Sequence, residues 1–148
     1  MNLDWDDPAA RGLRCYVRLV AEEIGVGDEA SLVQLDEPVC AYLALDFCPA
    51  DRPENYFALV WDERHGWALA LEESGGTRLT SLGCLDAGRL PTPRMVAAYV
   101  CAACAGGGFG PPAPIGAEVP PDLSSRLALY AEQFPALRSS VSVGDDRA

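Results

Sequence analysis

Cys101 and Cys104, whose spacing suits metal or redox chemistry, lie near the end of a predicted helix. Residues i and i+3 share one side of a helix, so both sulfur atoms could bind zinc or take part in thiol–disulfide exchange. The other four cysteines are isolated, and zinc needs two further ligands. A redox pair also usually opens a helix rather than closing it. We therefore expect packing residues and no cofactor, with a structural zinc or thiol site on this pair as the alternative.

The single histidine, His65, lies in a polar turn beside Asp62 and Glu63. An acid–histidine pair can carry out general acid–base catalysis. The turn implies neither a pocket nor a nucleophile, however, and nothing in the sequence brings a cysteine near the histidine. Turns normally hold solvated residues, so we expect His65 at the surface and predict no catalytic residue.

Acidic side chains near the ends of predicted strands form a second possible ligand set, for a hard cation. They do not follow the regular spacing of a calcium loop, so the sequence favours acids scattered over the surface. The members of this set are Asp46, Asp51, Glu54, Asp62 and Glu63.

The elements that must position these residues are organised around residues 56–72, which predict a β-hairpin. Large apolar residues alternate with small ones on both sides of a polar turn, and a period of two places each set on one face. A slip of one residue would set every large residue against a small one, so the pattern determines the register. The predicted pairs are Trp61 with Trp67, Leu59 with Leu69, and Phe57 with Leu71.

The opposite face of the hairpin carries small residues. A helix could pack closely on such a face, or the face could be half exposed, as is usual for antiparallel sheets. A shallow surface that binds a partner or ligand is the functional alternative. The residues concerned are Ala58, Val60, Ala68 and Ala70.

Further elements complete an α+β fold. Asp7-Pro8 and Thr92-Pro93 are typical of helix starts, residues 39–47 and 78–82 predict strands, and a short strand at 32–35 is an option. We expect an antiparallel sheet of about four strands, in the order α-β-β-β-β-α-α, with the helices packed on the sheet. The predicted divisions are an acidic lead-in (1–7), a core domain (8–105), a Gly/Pro-rich loop (106–121), a C-terminal helix (122–138) and a disordered tail (139–148).

Arginines at positions 11, 14 and 18 share one side of the first predicted helix. Such a stripe could bind a carboxylate or a phosphate, although charged stripes on helices are usually solvated faces. On the anion-binding alternative, Arg14 and Arg18 are candidates for contact with a partner.

The charge of the chain limits its partners. The 148 residues have a formal net charge of −11. Residues 1–74 carry all of it, with 16 acidic residues and 5 arginines. This distribution argues against nucleic acid and anionic membranes, which attract cationic proteins. No apolar run approaches the length of a membrane span and no signal peptide is evident, so we expect a cytoplasmic protein with reduced cysteines.

Three stretches resemble a family of small actinobacterial proteins, the domain of unknown function 6292. They are GLRCYVRLVAEEIGV in the first helix, ALVWDERHGWALALE in the hairpin and LPTPRMVAAYV at the start of the second helix. The resemblance covers about residues 11–105. It implies the α-β-β-β-β-α order and a cytoplasmic setting, and it supplies no activity or site residues.

The leading hypothesis for the function is a small acidic, non-catalytic module that binds a protein partner, associates with itself or regulates. It rests on the lack of an assembled catalytic set, on the small sheet face and on the uneven charge. A small-molecule binding domain that uses the small face as a pocket wall is another alternative. The residues assigned to partner contact are Ala58, Val60, Ala68, Ala70, Arg14 and Arg18.

Overall fold

The computed structural model describes residues 3–27, 30–45, 47, 55–73 and 78–133. The elements within these ranges confirm the α+β fold. They are α1 (Pro8–Ile24), β1 (Ser31–Gln34), β2 (Cys40–Ala44), β3 (Tyr56–Asp62), β4 (Gly66–Glu72), β5 (Leu79–Cys84), α2 (Pro93–Cys104) and α3 (Leu123–Gln133).

The five strands form one antiparallel sheet in the order β1-β2-β3-β4-β5. The predicted hairpin is β3–β4, and all three predicted pairs of large residues are confirmed as Cα partners. Alternation alone determined this register, because only one alignment places every large side chain on the same face. The fifth strand is β1, the short strand that the sequence raised as an option.

The large-residue face of the sheet forms the core together with all three helices. Buried side chains from α1, α2 and α3 belong to the same hydrophobic cluster as Trp61, Trp67 and Leu69. Burial of an apolar stripe stabilises each short helix more than its intrinsic propensity does. The helices therefore cover one face of the sheet and form a second layer.

Gly12 allows α1 and α3 to approach closely. A Cβ atom built on Gly12 would lie 1.6 Å from the carbonyl oxygen of Leu127 in α3. Next to this contact, the rings of Tyr16 and Tyr130 lie 4.9 Å apart, in a tilted arrangement. The last helix, whose place could not be predicted, therefore packs on α1 within the same core.

The Gly/Pro-rich segment after α2 docks on β5. The amide of Cys84 donates to the carbonyl oxygen of Pro111 at 2.7 Å, and the Tyr99 hydroxyl contacts the carbonyl oxygens of Gly83 and Phe109 at 3.1 and 2.6 Å. Gly110 has a φ of 91°, and a Cβ atom there would lie 2.1 Å from the oxygen of Cys84. Only glycine fits this position, because it needs both a left-handed backbone and close approach.

Several predictions lie outside the described residues. They concern the disordered tail at 139–148, the last residues of the helix predicted at 122–138, and three of the acidic candidates, Asp46, Asp51 and Glu54.

Candidate functional site

The face of the sheet turned away from the helices is apolar along its central rows. One row of Cα partners on this face crosses all five strands. In the neighbouring row, Ala44, Ala58 and Ala70 are Cα partners. Within the described ranges no helix covers this surface, which we call the outer face. The row that crosses the sheet consists of Leu32, Tyr42, Val60, Ala68 and Cys84.

The outer face is also partly open to solvent. Val60 and Ala68 are half-buried. Three large hydrophobic side chains that are exposed lie on this face. They are Leu32, Tyr56 and Leu79, which are 62%, 50% and 47% exposed. The exposed side of an antiparallel sheet normally carries polar residues. An apolar surface of this kind is typical of an interaction site.

Two of the predicted contact residues on this face are covered. The Tyr42 hydroxyl donates to the carboxylate of Glu72, and this pair crosses β3 at Ala58. Ala58 and Ala70 are 0% and 2% exposed. Burial and the hydrogen bond to Glu72 raise the pKa of Tyr42 to about 12. Val60 and Ala68 therefore remain as the accessible centre of the face.

Arg14 and Arg18 lie elsewhere, in a cleft between α1 and the edge strand β1. The cleft has a volume of about 280 Å³ and is lined by Trp5, Arg14, Val17, Arg18, Ser31, Leu32 and Val33. The structure thus divides the six predicted contact residues between two places, which share only Leu32 as a common border.

The hairpin turn holds His65 between two hydrogen-bond acceptors. Its Nδ1 lies 3.1 Å from the Asp62 carboxylate, and its Nε2 lies 3.2 Å from the carbonyl oxygen of Pro114. The ring is half-buried, and its two contacts tie the turn to the Gly/Pro-rich segment. The sequence predicts His65 at the surface and does not indicate the contact with Pro114.

Cys84 and His65 line the same small cavity, of about 70 Å³, although nothing in the sequence brings them together. Burial raises the pKa of the Cys84 thiol, and the nearby charges of Asp62 and Asp86 raise it further. A nucleophilic cysteine needs the opposite shift. The histidine also directs Nε2 at Pro114, so this arrangement lacks the features of an activated cysteine–histidine pair.

Glu63 is a correction to the prediction of surface acids, because its side chain is fully buried. The Glu63 carboxylate accepts a hydrogen bond from the amide of Val39 at 3.1 Å, and the Glu63 amide donates to the Val39 carbonyl oxygen at 3.1 Å. The carboxylate thus extends the pairing of β2 with β3 past the end of the strand. Of the five acidic candidates, only Asp62 and Glu63 fall within the described residues.

A family model matches residues 16–102, which include the whole sheet and most of α1 and α2. Its description is a family of unknown function, DUF6292. The chain belongs to this family. The DUF6292 match includes the strands of the outer face and Arg18 but excludes Trp5 and Arg14.

The DUF6292 match also ends between Cys101 and Cys104. Both residues are exposed at the end of α2, although partial shielding of the Cys104 thiol from water and the neighbouring Cys101 still raise its pKa. Among the residues that the structure describes, no three His, Cys, Asp or Glu side chains are grouped to hold a metal ion. A zinc or thiol site on this pair gains no support from the geometry.

No curated protein and no solved structure matches the chain. None of the helices in the described ranges is long and apolar enough to cross a membrane.

Proposed function

We propose that this member of the DUF6292 family is a non-catalytic module that binds another protein through the outer face of its sheet. The observation that carries this proposal is the apolar character of that face. Between Asp62 and Glu72, which lie at its two ends, the outward positions of β3 and β4 hold only Ala and Val. Water solvates such a surface poorly, so a protein partner that covers it gains the free energy of apolar burial.

The charge of the molecule determines which kind of partner fits. The outer face ends in the carboxylates of Asp62 and Glu72, and the whole chain carries a formal charge of −11. Two copies would repel each other, whereas a protein with a basic rim around a small apolar centre would be attracted. We therefore assign the face to a basic protein partner rather than to a second copy.

The side chains that cover part of the outer face support protein contact over small-molecule binding. A ligand pocket is concave and encloses most of its ligand, whereas Tyr42 and Glu72 cross β3 and cover Ala58. A protein interface needs instead a broad surface with a buried apolar centre and a polar rim. Val60 and Ala68 would supply that centre.

The test compares two substitutions that add the same charge at different places. Ala68→Arg puts a cation at the centre of the outer face, and Leu129→Arg puts it on α3, where Leu129 is 49% exposed. The wild-type chain is used to isolate its partner from its own host, and the purified pair is then studied by calorimetry. We expect Ala68→Arg to raise the Kd at least about tenfold and Leu129→Arg to leave it unchanged.

Two results would contradict the proposal. Equal binding by Ala68→Arg and wild type would move the contact to another surface. A homodimer in native mass spectrometry that Ala68→Arg dissociates would replace the basic partner by a second copy. Thermal unfolding of both variants checks that they are folded.

A further inference from the structure

The cleft between α1 and β1 combines a positive charge with apolar walls in an otherwise acidic protein. Its floor includes Val17, which is buried in the core, and its rim includes Trp5 and Leu32, which are 61% and 62% exposed. Arg14 lies between the floor and the rim. The cleft therefore offers a cation beside surfaces that favour an apolar group.

The guanidinium of Arg14 has few partners. Its Nη2 donates to the carbonyl oxygen of Trp5 at 3.4 Å, a long hydrogen bond, and its Nη1 is shielded from water and has no hydrogen-bond partner within the described chain. The ring of Trp5 lies 4.8 Å from the guanidinium carbon and covers one side of it. A buried donor without an acceptor costs free energy, which an acceptor would recover if it reached Nη1 as the covering Trp5 ring moved aside.

The electrostatic environment of Arg14 favours an anion. Burial lowers the pKa of Arg14, the neighbouring Cys15 partly offsets this by raising it, and the nearby charge of Arg11 lowers it again. No carboxylate of the described chain forms an ion pair with Arg14. Arg18 lines the same cleft and adds a second positive charge.

We propose that this cleft binds a carboxylate carried on a single apolar group, such as one ring or a short aliphatic chain. The fork of N–H donors on Arg14 matches the two oxygens of a carboxylate. Trp5 and Leu32 would then flank the apolar group. The volume of about 280 Å³ lies just below the usual range for drug-sized ligands, so it suits one group of this size. The proposal is independent of the protein partner assigned to the outer face.

The experiment follows the Trp5 indole N–H and the amides of Leu32 and Val33 by NMR while phenylacetate is added to the full chain. Phenylacetamide, which has the same ring without the charge, is the ligand control. We expect saturable shifts with phenylacetate alone. Saturation by both compounds at equal concentrations would overturn the role of the carboxylate.

Variants assign the binding to Arg14. We expect Arg14→Gln to raise the Kd for phenylacetate at least about fivefold, whereas Arg78→Gln removes the same charge from an exposed position and leaves it unchanged. Because Arg14 is half-buried, Arg14→Gln could also disturb the fold, so a second variant tests the same site at an exposed residue. Leu32→Glu would place a carboxylate in the cleft and compete with the ligand, unlike Leu129→Glu on α3. Unchanged binding by both Arg14→Gln and Leu32→Glu would contradict the site.

The same chemistry could come from a free organic acid or from the last residue of a protein chain. A short peptide that ends in phenylalanine with a free carboxylate, and its amidated form, separate these sources. Tighter binding of the free-acid peptide than of phenylacetate would assign the site to chain ends. Tighter binding of phenylacetate would assign it to small acids, and binding of neither compound would overturn the proposal.

Discussion

At the centre of the core, the hydroxyl of Tyr16 is both a donor and an acceptor. It accepts a hydrogen bond from the indole Nε1 of Trp67 at 3.0 Å and donates to the carbonyl oxygen of Pro91. All three residues are buried. One side chain of α1 thus satisfies a polar group of the sheet and another of the segment that leads into α2.

We expect Tyr16→Phe to lower the free energy of unfolding by about 1–3 kcal/mol, because a buried donor and a buried acceptor would lose their partner. Urea denaturation measures this, with Tyr56→Phe at an exposed hydroxyl as the control. In a Trp67→Phe background the same change should cost less, since one of the two groups has already been removed. Equal losses for Tyr16→Phe and Tyr56→Phe would contradict the role of the hydroxyl.

Residues at the hairpin turn could not be placed from the sequence. Glu63 and His65 stand in a polar turn, and local composition favours exposure for both. Their partners, Val39 and Pro114, are 24 and 49 residues away along the chain. One signal was within reach for Glu63: pairing of β2 with β3 in the register Cys40 with Asp62 places Val39 opposite Glu63. The length of the connection between β2 and β3 does not determine this register, so the sequence alone could not have selected it.

Among the elements, the contact between α1 and α3 depends on one missing side chain. Alanine favours helix over glycine by about 1 kcal/mol, which would stabilise Gly12→Ala if nothing opposed it. A Cβ atom 1.6 Å from the Leu127 carbonyl oxygen would instead force the two helices apart.

We expect Gly12→Ala to lower the free energy of unfolding by at least about 2 kcal/mol, since overpacking against backbone outweighs helix propensity. Gly108→Ala is the matched control, because a Cβ atom at Gly108 would meet nothing within 4 Å. Thermal and urea unfolding of both variants provide the comparison. A stabilised Gly12→Ala would show that the helices are farther apart than this packing implies.

Elements with strict alternation were predictable, and those defined by distant contacts were not. The register of β3–β4 followed from which alignment keeps large residues on one face. The apolar stripe of α3 predicted burial without saying against what, and its partner α1 lies at the other end of the chain. The small residues alone were enough to identify the small face as a candidate surface. The cover over Ala58 was not predictable, because it depends on Tyr42 of β2 reaching diagonally across β3 to Glu72 of β4.

At the scale of the molecule, tyrosines and cysteines that are buried or half-buried within the described residues favour their neutral forms. Burial raises the pKa of Tyr42 and Tyr99 to about 12, and it also raises the pKa of Tyr16 and Tyr130. In the unfolded chain these phenols ionise near pH 10. The unfolded state therefore loses protons first, and its relative stability grows as the pH passes 10.

We expect the free energy of unfolding to be steady below about pH 8 and to fall between about pH 8.5, where the thiols of the unfolded chain begin to ionise, and about pH 12. Urea denaturation at a series of pH values measures the fall. Absorbance of phenolate should rise at lower pH in the unfolded chain than in the folded chain. Because burial causes these shifts, 0.5 M salt should leave the fall in place, whereas loss of the fall in salt would assign it to long-range repulsion.

The Pro111 carbonyl that accepts from the Cys84 amide has a consequence for assembly. A sheet grows into a fibre by adding strands, and each added strand must offer new amide protons to the next one. Proline has no amide proton, and the docked segment contains Pro111, Pro112 and Pro114. At the Cys84 end of β5 this segment acts as a chain terminator does in polymerisation: it takes up the Cys84 amide and offers no amide proton of its own at its prolines. Addition of a further strand is therefore blocked at the Cys84 end of the β5 edge.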